Sequence, residues 1–371
     1  MVLLLIVILI FAGYSTLMFY YWHNWGGIPY FAPIHAERKT KISLIIPARN
    51  EEVAIPKLLQ KLEQQTYPKD LFEIIVIDDH STDKTYEIVQ GFQDVKLIQL
   101  KDDNINSYKK KAIETGIAAS KNEWIVCTDA DCLPPAEWLD TIVSFKEKNN
   151  SVFIAAPVMY SNNNSLLQIF QSIDFLVLQG ITAVSVFKNS LTVCNGANLS
   201  YDRKAFDEVN GFSGIDSIAS GDDMLLMYKI WKKNPGAVHY LKSKSAMVVT
   251  EPAKTWKSFF NQRNRWASKA TDYDDKRLLP VLLLVYSFNL SFFVLIIAGF
   301  WNYYYWLYCA GLWILKTLVE IPFVSSVAAF FGKQSLVKYF FFLQPLHIFY
   351  TIISGFCGQF GKYEWKGRKV K

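Results

Sequence analysis

Apolar residues fill both ends of this chain and leave an ordinary polar middle between them. The first 22 residues are almost all apolar, as is most of Leu278 to Gly358, whereas Thr40 to Asp275 has globular polarity. A helix of about 20 apolar residues matches the hydrocarbon thickness of a bilayer. Met1 to about Tyr21 lacks the basic start and small-residue cleavage site of a secretory leader, and it is too long for a leader's apolar core. It is therefore expected to be an uncleaved anchor. Three more apolar segments follow near Pro280–Phe300, Tyr303–Val324 and Tyr339–Gly358. The middle one carries Lys316 and Glu320, four residues apart on one helix face and expected to pair inside a bundle.

The net charge of +6 gathers near these boundaries. Arg38, Lys39 and Lys41 follow the first apolar stretch; Lys362, Lys366, Arg368, Lys369 and Lys371 follow the last. That pattern suits anionic lipid headgroups, and no Lys/Arg run with interleaved aromatics forms a nucleic-acid surface. An integral membrane protein, of bacterial inner-membrane type with a cytoplasmic middle domain, is the expected setting. Three full C-terminal spans would put the basic tail outside, against the positive-inside rule. A re-entrant segment, or a middle stretch extended to Phe331 that crosses twice, would remove the conflict. The five cysteines, Cys127, Cys132, Cys194, Cys309 and Cys357, form neither a disulfide framework nor a CxxC zinc pattern, which fits a reducing compartment.

Within the middle, short apolar runs alternate with helical patterns. Strands are expected at Ile42–Ile46, Ile74–Ile77, Lys96–Leu100, Trp124–Thr128 and Val152–Pro157. Helices are expected after Asn50 (to about Gln65, with Pro56 arguing for a late start), after Ser81, over Tyr108–Ala119 and from Pro134. Such alternation implies an α/β fold with a doubly covered, mostly parallel sheet, which binds ligands beyond the carboxyl ends of its strands. Trp256 to about Tyr273 reads as an amphipathic helix at a membrane surface. The expected organisation is an anchor over 1–22, a catalytic domain over 40–255, an interface helix over 256–279, apolar segments over 280–358 and a basic tail over 359–371.

Polar clusters fall where that sheet would bind. Asp129 and Asp131 follow the fourth strand as a DxD, and if strand alternation persists both carboxylates face one site. Their mutual repulsion would be relieved by a hard divalent cation such as Mg²⁺ or Mn²⁺. Taken alone, the pair reads as readily as a solvated turn before Pro134. Asp78-Asp79-His80-Ser81 reads either as a strand end with a helix cap or as a base or ribose contact. Asp222-Asp223 precedes a helical pattern from Met224 to Trp231 and reads either as an acidic cap or as a general base. Gln262, Arg265 and Trp266 share one helix face, suited to phosphate and sugar contact or simply to a membrane interface.

In combination these elements are more specific. SLIIPARNEE from Ser43, VIDDHSTDKT from Val76, TDADC from Thr128, GANLSYDRKAF from Gly196, SGDD from Ser220 and QRNRW from Gln262 resemble glycosyltransferase family 2, over about Lys41 to Lys269. The last resembles the QxxRW signature of its membrane-bound members, which include polysaccharide synthases and ceramide glucosyltransferases. The resemblance implies a GT-A fold, a nucleotide-sugar donor (a UDP-sugar foremost) and a divalent metal. It places Pro47, Ala48, Arg49 and Glu51 along the nucleotide pocket and Asp79 on the base. Lys109 fits the family's lysine, with Lys110 a near alternative. Asp129 and Asp131 would hold diphosphate and metal, and Gly196 and Asn198 would shape the donor-sugar pocket. Asp223 would be the base, preceded here by Asp222 where the family has Glu. Gln262, Arg265 and Trp266 would meet the diphosphate and the acceptor.

The reaction implied is an inverting transfer. The acceptor is either a lipid glycosylated once or a growing polysaccharide, the latter with a possible accessory subunit. A catalytically silent membrane scaffold of the same fold would be expected to lack the DxD or the base. A nucleotidyltransferase would carry a Gly-rich basic loop where Pro47-Ala48-Arg49-Asn50-Glu51 stands.

Overall fold

The computed structural model describes every residue except 34–38, 103–104, 106, 162–164, 191–192, 217, 219–220, 269–274, 361–362, 366–367 and 371, with side chains through 358. Arg38, Ser220, Lys269, Lys362, Lys366 and Lys371 therefore lie outside the described residues. The chain divides into two compact units, one of Met1–Ile28, Asn162–Val184 and Pro252–Gly361, the other of Pro29–Ser161, Ser185–Glu251 and Lys362–Lys371.

The elements run α1 (Val2–Gly27), β1 (Ile42–Ala48), α2 (Ile55–Glu63), β2 (Phe72–Asp78), α3 (Thr85–Gln90), β3 (Val95–Gln99), α4 (Tyr108–Ala119), β4 (Trp124–Cys127), α5 (Trp138–Asn149), β5 (Phe153–Ala155), β6 (Val158–Tyr160) and α6 (Leu166–Phe187). Then come β7 (Leu199–Asp202), α7 (Arg203–Glu208), α8 (Met224–Lys233), β8 (Val238–Tyr240), β9 (Val248–Thr250), α9 (Trp256–Ala267), α10 (Leu278–Ala298), α11 (Tyr304–Phe330) and α12 (Phe340–Phe360), with a terminal hairpin of β10 (Tyr363–Trp365) and β11 (Arg368–Val370).

The second unit is built on a seven-stranded sheet in the order β3-β2-β1-β4-β7-β5-β8. β3, β2, β1 and β4 are parallel; β7 runs antiparallel to both β4 and β5. β1, β4 and most of β2 are buried on both faces, which is why they read as unbroken apolar runs, whereas β3 at the edge is partly exposed. α4 lies close on the sheet because of Gly116: a Cβ there would come within 2.6 Å of both Ile45 Cγ2 and Ile77 Cδ1.

Two expected helix starts shift, and the first helix starts late, as Pro56 suggests. α2 begins at Ile55, just ahead of Pro56, and not at Asn50. Asn50 instead adopts a left-handed φ of 52°, a conformation Asn tolerates better than most residues. There its N–H donates to Ser81 Oγ at 3.0 Å and its Oδ1 accepts from the Thr82 N–H at 2.8 Å. Ser81 is thus spent on this stitch and does not cap α3. α5 begins at Trp138, beyond Pro134 and Pro135.

Among the described residues, five helices are long and apolar enough to cross a membrane, including α1, α10 and α11 of the first unit. α11 is one unbroken helix of 27 residues with Pro322 inside it, about 40 Å long, so the stretch to Phe331 does not cross twice. α6 escaped the sequence reading. Its apolar window has the same mean hydropathy as that of α11, 1.5, but 78% of it is buried in the protein, against 17% for α1. Lys316 and Glu320 pair as expected, at 2.7 Å. Tyr14 of α1 donates to Glu320, and Gln344 of α12 both accepts from Lys316, at 2.5 Å, and donates to Glu320. The buried charges are thereby satisfied and three helices are tied together.

Candidate active site

In the second unit the β1 and β2 ends are sewn to each other. The Asp79 N–H donates to the Ala48 carbonyl at 2.8 Å, and Arg49 Nη1 donates to the carbonyls of Asp79 (2.7 Å) and His80 (2.9 Å). The Glu51 N–H reaches Thr85 Oγ1 at 2.7 Å. Pro47, Ala48, Arg49, Glu51 and Asp79 thus lie around one strand-end cleft, with Asp79 only 2% exposed. His80, at a φ of 51°, turns Nδ1 to within 3.0 Å of Asp79 Oδ1.

Two strands further along the sheet, β4 ends at Cys127, so Asp129-Ala130-Asp131 forms a turn and not a strand end. The expected reason for convergence, strand alternation, does not apply. The turn closes through the Cys132 N–H to the Asp129 carbonyl at 3.1 Å, and ligand atoms of Asp129, Asp131 and Cys132 lie within 4.8 Å of one another. Hard carboxylate oxygens suit Mg²⁺ or Mn²⁺. Burial, reinforced by Asp131 and Asp129, pushes the Cys132 thiol well above the ordinary range, so it stays a neutral thiol and a poor ligand.

Lys109 Nζ lies 2.7 Å from Asp129 Oδ1 and 3.1 Å from Asp222 Oδ2, joining residues far apart in sequence. Burial opposes its charge, but Asp129, Asp222 and Asp223 outweigh it and hold its ammonium well above the ordinary lysine range. Asp223 caps α8, with Oδ1 accepting from the Met224 N–H at 2.8 Å and Oδ2 from the Gly196 N–H at 3.0 Å. At Gly196 a Cβ would come within 3.1 Å of both Asp222 Oδ2 and Lys109 Nζ. The position needs glycine because backbone, lysine and two carboxylates meet there. Asn198 is engaged elsewhere: its Nδ2 donates to the carbonyls of Pro157 (2.9 Å) and Ala246 (2.8 Å), and its Oδ1 accepts from Trp138 Nε1 at 3.0 Å.

Gln262, Arg265 and Trp266 lie on α9 in the first unit, a helix started by a Thr255–Ser258 capping box. Sequence reasoning passed over Arg263, the buried member of this helix's last turns. Arg263 Nη2 meets Asp174 Oδ2 at 2.6 Å, Tyr350 also donates to Asp174, and the guanidinium lies 4.2 Å from the Trp266 ring centroid. Asp174 sits on α6, 89 residues before Arg263, so no sequence signal paired the two.

Cys127 lies beneath this site with Sγ 3.3 Å from the Tyr201 hydroxyl, and burial pushes its thiol up to about 12. An unfolded thiol ionises near pH 8.5, roughly. Its stabilising share is therefore complete below that pH and lost as pH rises toward 12. Alkylation of Cys127, followed by peptide mass spectrometry, is expected only with denaturant present at pH 8; modification of the native protein would contradict that burial.

The mostly parallel sheet, with polar residues gathered beyond its strand ends, is a GT-A-type fold. A mannosyltransferase from Pyrobaculum calidifontis, solved in complex with GDP-Man and Mn²⁺, has the same fold: TM-score 0.62 at 20% identity, covering 96% of this chain and 99% of that one. Residues 43–209 match the profile of Glycosyl transferase family 2. Curated relatives include a beta-monoglucosyldiacylglycerol synthase of Nostoc sp., 24% identical over 65% of this chain and 52% of its own, and a poly-beta-1,6-N-acetyl-D-glucosamine synthase of Staphylococcus epidermidis, 25% identical over 61% and 53%. The chain spans about half the length of these relatives.

Proposed function

We propose that this protein is a membrane glycosyltransferase that transfers one sugar, with inversion, from a nucleotide-sugar to a lipid acceptor. The observation that carries the reading is the meeting of Asp129, Lys109, Asp222 and Asp223 around Gly196. Arg49, Glu51 and Asp79 would hold the nucleoside, and Gly196 would let the donor sugar approach the backbone. Asp129 and Asp131 would hold a divalent cation, which when bound offsets the charge of the departing diphosphate. Asp223 takes the proton of the acceptor hydroxyl as that oxygen bonds to the anomeric carbon. The bond from that carbon to the diphosphate oxygen breaks, and the nucleoside diphosphate leaves with the electron pair. Asp222 is neutralised by Lys109, which favours Asp223 as the proton acceptor.

A lipid acceptor accords with the small number of apolar helices, which is modest for a polymer channel. The charge pattern also suggests a topology. Gly299 to Tyr303, between α10 and α11, carries no charge, whereas Lys333 and Lys338 precede α12 and a basic tail follows it. By the positive-inside rule α10 and α11 form a crossing hairpin and both ends of α12 stay on the cytoplasmic side, so α12, whose Gln344 meets Lys316 in the middle of α11, is re-entrant.

The test is nucleotide release by the detergent-purified protein from UDP-, GDP- and dTDP-sugars with Mn²⁺ or Mg²⁺, with and without membrane lipid extract. Metal-dependent release that rises with lipid and yields a discrete glycolipid by mass spectrometry is the expected outcome. Polymer formed without added lipid would replace the lipid reading with a synthase. No release from any donor, with Asp129→Ala indistinguishable from wild type, would leave a silent scaffold.

A further inference from the structure

We propose that Lys110 is a positioning residue that latches the loop delivering Asp222 and Asp223 to the site. Lys109 and Lys110 are neighbours on α4, where successive side chains diverge by about 100°. Lys109 turns to the carboxylates; Lys110 turns under the loop that carries them. Its side chain is almost fully buried, at 2% exposure, and Nζ donates to the carbonyls of Ile215 at 2.5 Å and Ile218 at 2.6 Å. Ser107, which precedes α4, adds its hydroxyl to the same Ile218 carbonyl at 2.5 Å.

Both carbonyls belong to the segment between Phe212, buried at 1% exposure, and Asp222. Gly214 and Gly221 in that segment take φ of 82° and 80°, which leaves the backbone many alternative paths. A buried ammonium must keep its acceptors, because losing them strands a charge in a low-dielectric interior. Lys110 therefore holds the carbonyls of Ile215 and Ile218, which lie between Gly214 and Gly221, the latter one residue before Asp222. The same helix turn thus supplies the charge partner of Asp222 and the anchor of its loop.

The inference rests on reading Asp223 as the proton acceptor, and two measurements separate its failure from that reading's failure. The first is hydrogen exchange of the full-length protein in detergent. Lys110→Met is expected to raise amide exchange about tenfold in the segment 213–223, with Ser107→Ala giving a smaller rise in the same segment. Unchanged exchange in both variants would overturn the latch; if Lys110→Met does not fold, Ser107→Ala decides alone. The second is kinetic. Lys110→Met is expected to lower kcat about tenfold with donor KM unchanged, and to cause no further loss on top of Asp223→Asn. A raised donor KM at constant kcat, or a loss that adds fully to Asp223→Asn, would overturn a role through Asp223. Wild-type protein inactive on every donor would sink the enzymatic reading, while exchange would still decide the latch.

Discussion

Asp223→Asn lowers sugar transfer by about 10²- to 10⁴-fold, the range associated with loss of a general base, while donor binding stays close to wild type. Asn is an accepted helix cap, so α8 keeps its start through the bond to the Met224 N–H. The other carboxylate oxygen accepts from the Gly196 N–H, and an amide nitrogen in its place would present a donor to a donor. The variant folds but lacks a group able to take the acceptor's proton. The measurement pairs single-turnover transfer with calorimetric titration of the nucleotide-sugar. Turnover at the wild-type rate would remove Asp223 from the base role and turn attention to Asp222. A loss of donor binding as large as the loss of rate would mean that the carboxylate holds the substrate.

Asp174→Ala destabilises the first unit by about 3–5 kcal/mol, because it strips a buried guanidinium of its counter-charge. Asp174 and Arg263 are each 4% exposed at the side chain and lie 2.6 Å apart, with the Tyr350 hydroxyl on the second Asp174 oxygen. The pair joins α6 to α9, and Tyr350 brings in α12. Thermal unfolding in detergent reads the effect, and Asp174→Leu combined with Arg263→Met recovers much of the loss, since an apolar pair leaves no charge stranded. A melting temperature for Asp174→Ala equal to wild type would show that water reaches Arg263 and that the pair is not buried in solution.

Patterns that depend on a few neighbouring residues were legible in the chain itself. The strand runs of β1, β2, β4 and β5 stand out because burial on both faces selects unbroken apolar residues. The apolar ends stand out because a bilayer demands length and composition together. Lys316 and Glu320 could be paired because they are one helix turn apart. Pro56 pointed to the late start of α2, but the starts after Ser81 and Pro134 were misjudged, because Ser81 is spent on stitching two loops together and Pro134 precedes a turn.

What only the tertiary structure decided is every relation between residues distant in sequence. Asp129 and Asp131 were legible as a pair, but a turn brings them together, and Lys109 joins them to a carboxylate about ninety residues away. Whether Lys109 or Lys110 faces the acidic site depends on the rotation of α4 against the sheet, which Gly116 allows by removing a Cβ. The Asp174–Arg263 pair was invisible because its members lie 89 residues apart and meet only where α6 packs against α9. Local periodicity is written into successive side chains by backbone geometry, whereas convergence depends on how elements pack, and packing is a property of the whole fold.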